Sequence, residues 1–135
     1  MENNHYDILS LSKKHLRDIE DGKAGMELAA YYSEQIEKIE YPNTLNIHGA
    51  VSVFNTLIKR SEKGRQIVVS QKYEVHKEFV NGNTVILEVT WTAIMSIPIG
   101  KTPAGKELKA NFALFIEFEN DKIIRQRNYD CFEPF

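Results

Sequence analysis

Between His5 and Asp21 the apolar residues Ile8, Leu9, Leu11, Leu16 and Ile19 share one arc when the chain is wound at about 100° per residue. Asn4 is placed to cap the start, and Gly22 follows the end. The spacing predicts an amphipathic helix. A second helical stretch, Ala24 to Gln35, carries Leu28, Tyr31 and Tyr32 on one face and Met26, Ala29 and Ala30 on another, which predicts a helix buried on both sides. Tyr41-Pro42-Asn43 then breaks the chain, because proline cannot continue a helix and biases Tyr41 toward extended geometry. Ile36 to Tyr41 is read as a short strand. After Gly49 the register of Ala50, Val53, Phe54, Leu57 and Ile58 predicts a third helix that stops near Gly64.

Beyond Arg65 the period changes to two. Ile67, Val69, Tyr73, Val75 and Phe79 alternate with polar residues, and Asn81-Gly82-Asn83 marks a hairpin into Val85, Leu87, Val89, Trp91, Ala93, Met95 and Ile97. Pro98 to Lys106 is a loop. Leu108 to Phe118 is a strand apolar on both sides around Phe112 to Ile116, and Asn120-Asp121 turns the chain into a last strand, Lys122 to Phe132. The predicted class is α+β, a curved antiparallel sheet with three N-terminal helices across its concave face and a small-molecule pocket between them. Three helices cannot cover both sides of four long strands, so the apolar outer face predicts a homodimer.

The 135 residues, 42% hydrophobic and 27% charged, suit a single domain, 1–135, with one core. A formal charge of −2 with interspersed signs argues against nucleic acid as a partner. A single cysteine, Cys131, excludes an internal disulfide and a cysteine-rich zinc site. The start carries no signal-like apolar stretch, and no run is long enough to span a membrane, so the expected location is cytoplasmic. Histidines at 5, 15, 48 and 76 show no metal-ligand spacing, and no metal is expected. Gly100 to Lys106 imitates the first part of a phosphate-binding loop, but Glu107 follows where a hydroxyl is needed and a strand follows instead of a helix.

Three segments carry a resemblance: Glu40-Tyr41-Pro42-Asn43, Glu88-Val89-Thr90-Trp91 with Gly105, and Arg125 to Phe135. They resemble the SnoaL-like branch of the nuclear-transport-factor-2-like superfamily. The resemblance implies a cone-shaped α+β fold, usually dimeric, shared by polyketide cyclases, ketosteroid isomerases, dehydratases and binding modules. It places Asp130, just after Tyr129, at the acid/base position of the cyclases. The histidine that partners that aspartate has no counterpart in Leu108 to Phe118. The isomerase general base falls at Tyr41, with Glu40 one residue earlier and pointing the other way unless the strand bulges. The isomerase oxyanion-side aspartate falls near Leu114, so isomerase chemistry of that type is disfavoured.

Asp130 is therefore read as an acid/base carboxyl inside an apolar cone, or else as a carboxylate paired with Arg125 or Arg127. His15 points from the first helix toward core or pocket, as a core histidine or a ligand contact. Trp91 either walls the pocket or fills the core. Tyr31, Tyr32 and Tyr41 are candidate hydroxyl donors to a ligand, and Tyr129 flanks Asp130. His48 is assigned to helix entry and His76 to solvent, while Cys131 is expected as a buried or interface thiol. The resulting expectation is a cofactor-free acid/base protein acting on an apolar or polycyclic molecule, with His15, Tyr32, Tyr41, Trp91 and Tyr129 as ligand contacts. The competing expectation is a binding module of the same fold that performs no chemistry.

Overall fold

Two of the three expected helices form, and much of the other one enters the sheet. The computed structural model describes residues 5–135, with side chains from Asp7 onward, so the Asn4 cap lies outside the described residues. Helix α1 spans His5–Glu20 and buries Ile8, Ser12, His15 and Leu16. The Ser12 hydroxyl donates to the Ile8 carbonyl one turn back, which lets a polar residue sit inside.

The stretch Ala24 to Gln35 is not a helix. It forms two 3-10 turns, Gly25–Glu27 and Ala29–Tyr31, and then strand β1, Tyr32–Glu40. Leu28, Tyr32 and Ile36 are all buried and spaced by four. Four residues return to the same side of a helix and also of a strand, so that spacing alone cannot separate the two periods. Gly25, at φ +60, interrupts any helix at its start, and Met26 is 70% exposed where burial was expected.

The predicted third helix also begins later. Ala50–Ser52 forms strand β2 against the end of β1, and helix α2 runs Phe54–Ile67 with Leu57 and Ile58 buried. Gly64 does not end it. Gly49, at φ +65, packs so closely that an added Cβ would lie 2.5 Å from the Glu40 carbonyl oxygen. Gly49→Ala is expected to cost about 2 kcal/mol or more in urea unfolding, from left-handed strain plus displacement of β1. An unchanged midpoint would show that the loop relaxes freely.

The four long strands form as expected: β3 Val68–Asn81, β4 Thr84–Met95, β5 Glu107–Glu119 and β6 Lys122–Phe132. Asn120 and Asp121 both adopt positive φ, as a two-residue hairpin requires. The curved six-stranded sheet has the order β2-β1-β6-β5-β4-β3, antiparallel except where β1 runs parallel to β6. Local patterning does not show that parallel seam.

Both helices pack on one face, where Leu87, Val89, Leu114, Ile116 and Ile123 meet Ile8, Leu16 and Leu57. A second cluster at one end holds Trp91, Ala93, Met95, Leu108 and Ala110, closed by Phe132 and Phe135. The opposite face of β5 carries Ala113 and Phe115 among Lys109, Asn111, Glu117 and Glu119, so the apolar outer surface is a patch and not a continuous stripe. No helix among the described residues is long and apolar enough to cross a membrane.

Candidate functional site

Alternation along β1 puts Ile36, Lys38 and Glu40 on the helix-facing side, and the complete burial of Ile36 identifies that side. Lys38 is in register with Gln126, and Glu40 with Asn128, across the parallel seam. Two residues further along β6, on the same face, stands Asp130. Beside this seam, strands β1, β2 and β3 together with α1 and α2 line an open cavity of about 280 Å³, to which β6 contributes no wall residue. Its apolar walls include Ile19, Leu28, Leu57 and Val68, and its polar groups include Tyr32, Lys38, Glu40, Ser52, Arg60, Gln71 and Tyr73.

Asp130 does not itself line this space, but its charge is felt by three groups that do, Lys38, Glu40 and Tyr73. Its Oδ1 is buried with no hydrogen-bond partner. Burial, with the Glu40 charge adding to it and Lys38 opposing, pushes the carboxyl up to about 6. Neither expected arginine neutralises it. Arg125 pairs with Glu37 at 3.4 Å, and Arg127 with Glu117. The position opposite Asp130 on β5 is Phe112, so an apolar ring and not a histidine faces it across the strand pair. Leu114 is buried in the core.

Lys38 is a cavity residue that the sequence does not single out, and Glu40, expected to point the other way from a site-facing Tyr41, is the one of that pair that lines the cavity, on the face it shares with Ile36 and Lys38. Burial lowers the Lys38 ammonium below the usual lysine range, against the opposing charges of Asp130 and Glu40. Glu40 is fixed by Asn43, whose amide donates to Oε2 at 2.8 Å, and by Arg60 at 3.8 Å. Asn43 is itself held through its Oδ1, which accepts from the Leu45 and Asn46 amides.

The other expected contacts divide between the two faces. Tyr32 lines the cavity, and its hydroxyl shares a 2.8 Å hydrogen bond with His15 Nε2. His15 is 3% exposed and lies behind Tyr32, in the core and not in the cavity wall. Burial takes its pKa down to about 3, with the Lys38 charge contributing. Trp91 fills the second core cluster and donates its indole N–H at 2.9 Å to Gln71, which does face the cavity. Tyr31 donates to Asp18, which also holds Lys14 and Lys23.

Tyr41 and Tyr129 stand elsewhere. Their rings stack 4.6 Å apart on the opposite side of the sheet, because beyond the bulge that follows Ile123 the odd-numbered positions of β6 face away from Asp130. Cys131 follows the same rule and is exposed on the outer face, so it is not the buried thiol that was one of the two expectations. His76 shares a 2.6 Å hydrogen bond with Thr90 on that outer face.

No family model matches the chain, and no curated protein matches it in sequence. Solved structures do. A SnoaL-like polyketide cyclase from Agrobacterium tumefaciens matches with a TM-score of 0.70 and 13% identity over 96% of this chain and 92% of that one. AclR, a proposed hydroxylase from Streptomyces galilaeus, matches at 0.75 and 15% identity over 93% and 90%. A protein with a ketosteroid isomerase-like fold from Catenulispora acidiphila, solved with trimethylamine, matches at 0.66 and 10% identity over 90% and 83%. The chain therefore has the fold that the resemblance implied, and proteins described so differently leave its reaction to be argued from the site.

Proposed function

We propose that the cavity binds a small, largely apolar carbonyl compound of one or two rings and that Asp130 serves there as acid/base, without a cofactor. The reaction would be of the cyclase, isomerase or dehydratase kind. The observation that carries this reading is the Asp130 carboxyl, with a buried, unpartnered oxygen on the helix-facing side and within electrostatic reach of three cavity-lining groups. A carboxyl titrating near 6 is largely ionised at neutral pH, so it can take a proton from a carbon acid and return it. The ligand size follows from the cavity of about 280 Å³, at the low end of the roughly 300–1,000 Å³ of small-molecule pockets.

The test is hydrogen exchange in deuterated water, with 2-tetralone as the enolisable ketone and the exchange followed by NMR. Catalysed exchange at the carbon next to the carbonyl is the expected result. Exchange no faster than buffer, across a panel of one- and two-ring ketones that do bind, favours the binding-module reading, to which Phe112 opposite Asp130 lends support.

A homodimer through the outer face belongs to the same proposal. Tyr129, 42% exposed, stacks on Tyr41 and meets Phe115 edge-on, a rigid aromatic patch suited to an interface core. Sedimentation at micromolar concentration is expected to show a dimer that Tyr129→Lys dissociates. A monomeric parent protein would remove this part of the proposal.

A further inference from the structure

We propose that Lys38 is a nucleophile whose Nζ condenses with the carbonyl carbon of a ketone or aldehyde in the cavity, while Asp130 moves the protons of that step. The inference rests on the reading of the cavity as a carbonyl site and names the group that engages the carbonyl.

Two lysines line the cavity, and their surroundings differ. Lys23 is held by Asp18 at 3.3 Å, whereas Lys38 has no ion-pair partner among the described residues. Lys38 sits within β1, in register with Ser52 of β2 on one side and Gln126 of β6 on the other, so its Cα is fixed by strands on both sides. It is half-buried, and the Asp130 and Glu40 carboxyls lie within reach of its charge. Burial also lowers its basicity, which raises the fraction of neutral amine available for attack. Unpaired, partly desolvated, anchored in a strand and within electrostatic reach of a proton carrier, it has what amine catalysis of carbonyl chemistry requires.

The step balances with groups already present. The neutral Nζ lone pair forms the C–N bond as the carbonyl π pair moves to oxygen. That oxygen then takes one proton from nitrogen, giving a carbinolamine. A second proton, from the acid form of Asp130, lets the oxygen leave as water and produces the iminium. The Asp130 carboxylate so formed can accept a proton from the adjacent carbon, converting the iminium to an enamine. Nothing is oxidised or reduced, and no co-reactant is needed.

The intact protein is incubated with 2-tetralone and sodium cyanoborohydride at pH 7, which reduces an iminium to a stable secondary amine. Peptide mass spectrometry then locates the adduct. The expected result is labelling of Lys38 about tenfold or more above any other lysine, an advantage set by its unprotonated fraction and position. Lys38→Arg, which keeps the charge, and Lys38→Met, which keeps the length, are both expected to lose that label and to slow exchange. Labelling of the unaltered protein needs no variant, so a folding defect in either one leaves the result readable. Adducts spread evenly over the lysines overturn the proposal. Catalysed exchange with no adduct on Lys38, undiminished in both variants, overturns it and leaves the Asp130 reading standing. Absence of both exchange and adduct removes the two together.

Discussion

Asp130→Asn is expected to slow hydrogen exchange of a bound ketone by about a hundredfold or more, the usual contribution of a general acid/base, while ligand affinity survives. The same substitution is expected to make the protein more stable at pH 7. In the folded protein the carboxyl titrates near 6, against 3.8 for an unperturbed aspartate, so between those values the folded state holds a proton that the unfolded chain has released. Stability therefore falls as pH rises through that window, and the penalty is complete above it. At about 1.4 kcal/mol per unit, discounted for partial exposure, the cost at pH 7 is about 1–3 kcal/mol, which a neutral amide avoids. Urea unfolding and exchange rates of the two proteins check both halves. A variant that is both less stable and equally active would overturn the assignment. Retention of a destabilising carboxylate is what a working site requires and a scaffold does not.

Acid titration of stability is expected to show two opposed contributions. His15 is neutral in the fold, with a pKa of about 3 against 6.5 for a free histidine, so the unfolded chain binds the extra proton between those values. Its contribution is complete above 6.5 and is lost as pH falls. Asp130 acts in the opposite sense between 6 and 3.8, where falling pH relieves its penalty. From pH 6 to 4 the two nearly cancel, each changing stability by about 2 kcal/mol. His15→Gln should therefore gain stability on acidification over this window, and Asp130→Asn should lose it. Asp18, whose carboxyl is held low chiefly by the Tyr31 hydroxyl, is lost only at lower pH and does not confuse the comparison. Parallel profiles for the parent and both variants would show that neither group titrates as its surroundings imply.

The long strands and the first helix are legible in the sequence because their periods are sustained over many residues. Tyr32 to Glu40 is not, since Leu28, Tyr32 and Ile36 repeat at four, which satisfies both periods, and the strand's long neighbour, β6, lies near the other end of the chain. The same seam explains what was found and missed at the site. Asp130 stands out through the resemblance of Arg125 to Phe135, not through strand pattern, which does not tell the inward from the outward positions of β6. Lys38 and Glu40 became visible once Ile36 showed which side of β1 faces inward. Tyr41, a hydroxyl donor at the isomerase-base position, and Tyr129, the neighbour of Asp130, are expected among the ligand contacts, but each stands one step along its strand from an inward residue, and one step reverses the face.

The parallel seam between β1 and β6 also bears on the order in which the molecule assembles. Strands β3 to β6 are joined by successive hairpins and can zip locally, whereas β1 must find β6 across the three intervening long strands and helix α2, a closure costly in loop entropy. The two sides of the site, Lys38 and Glu40 on one strand and Asp130 on the other, meet only when that last seam closes. A molecule spanning Lys38 and Asp130 would thus tether the early and late parts of the chain, resisting the partial opening that lifts β1 while the hairpins stay intact.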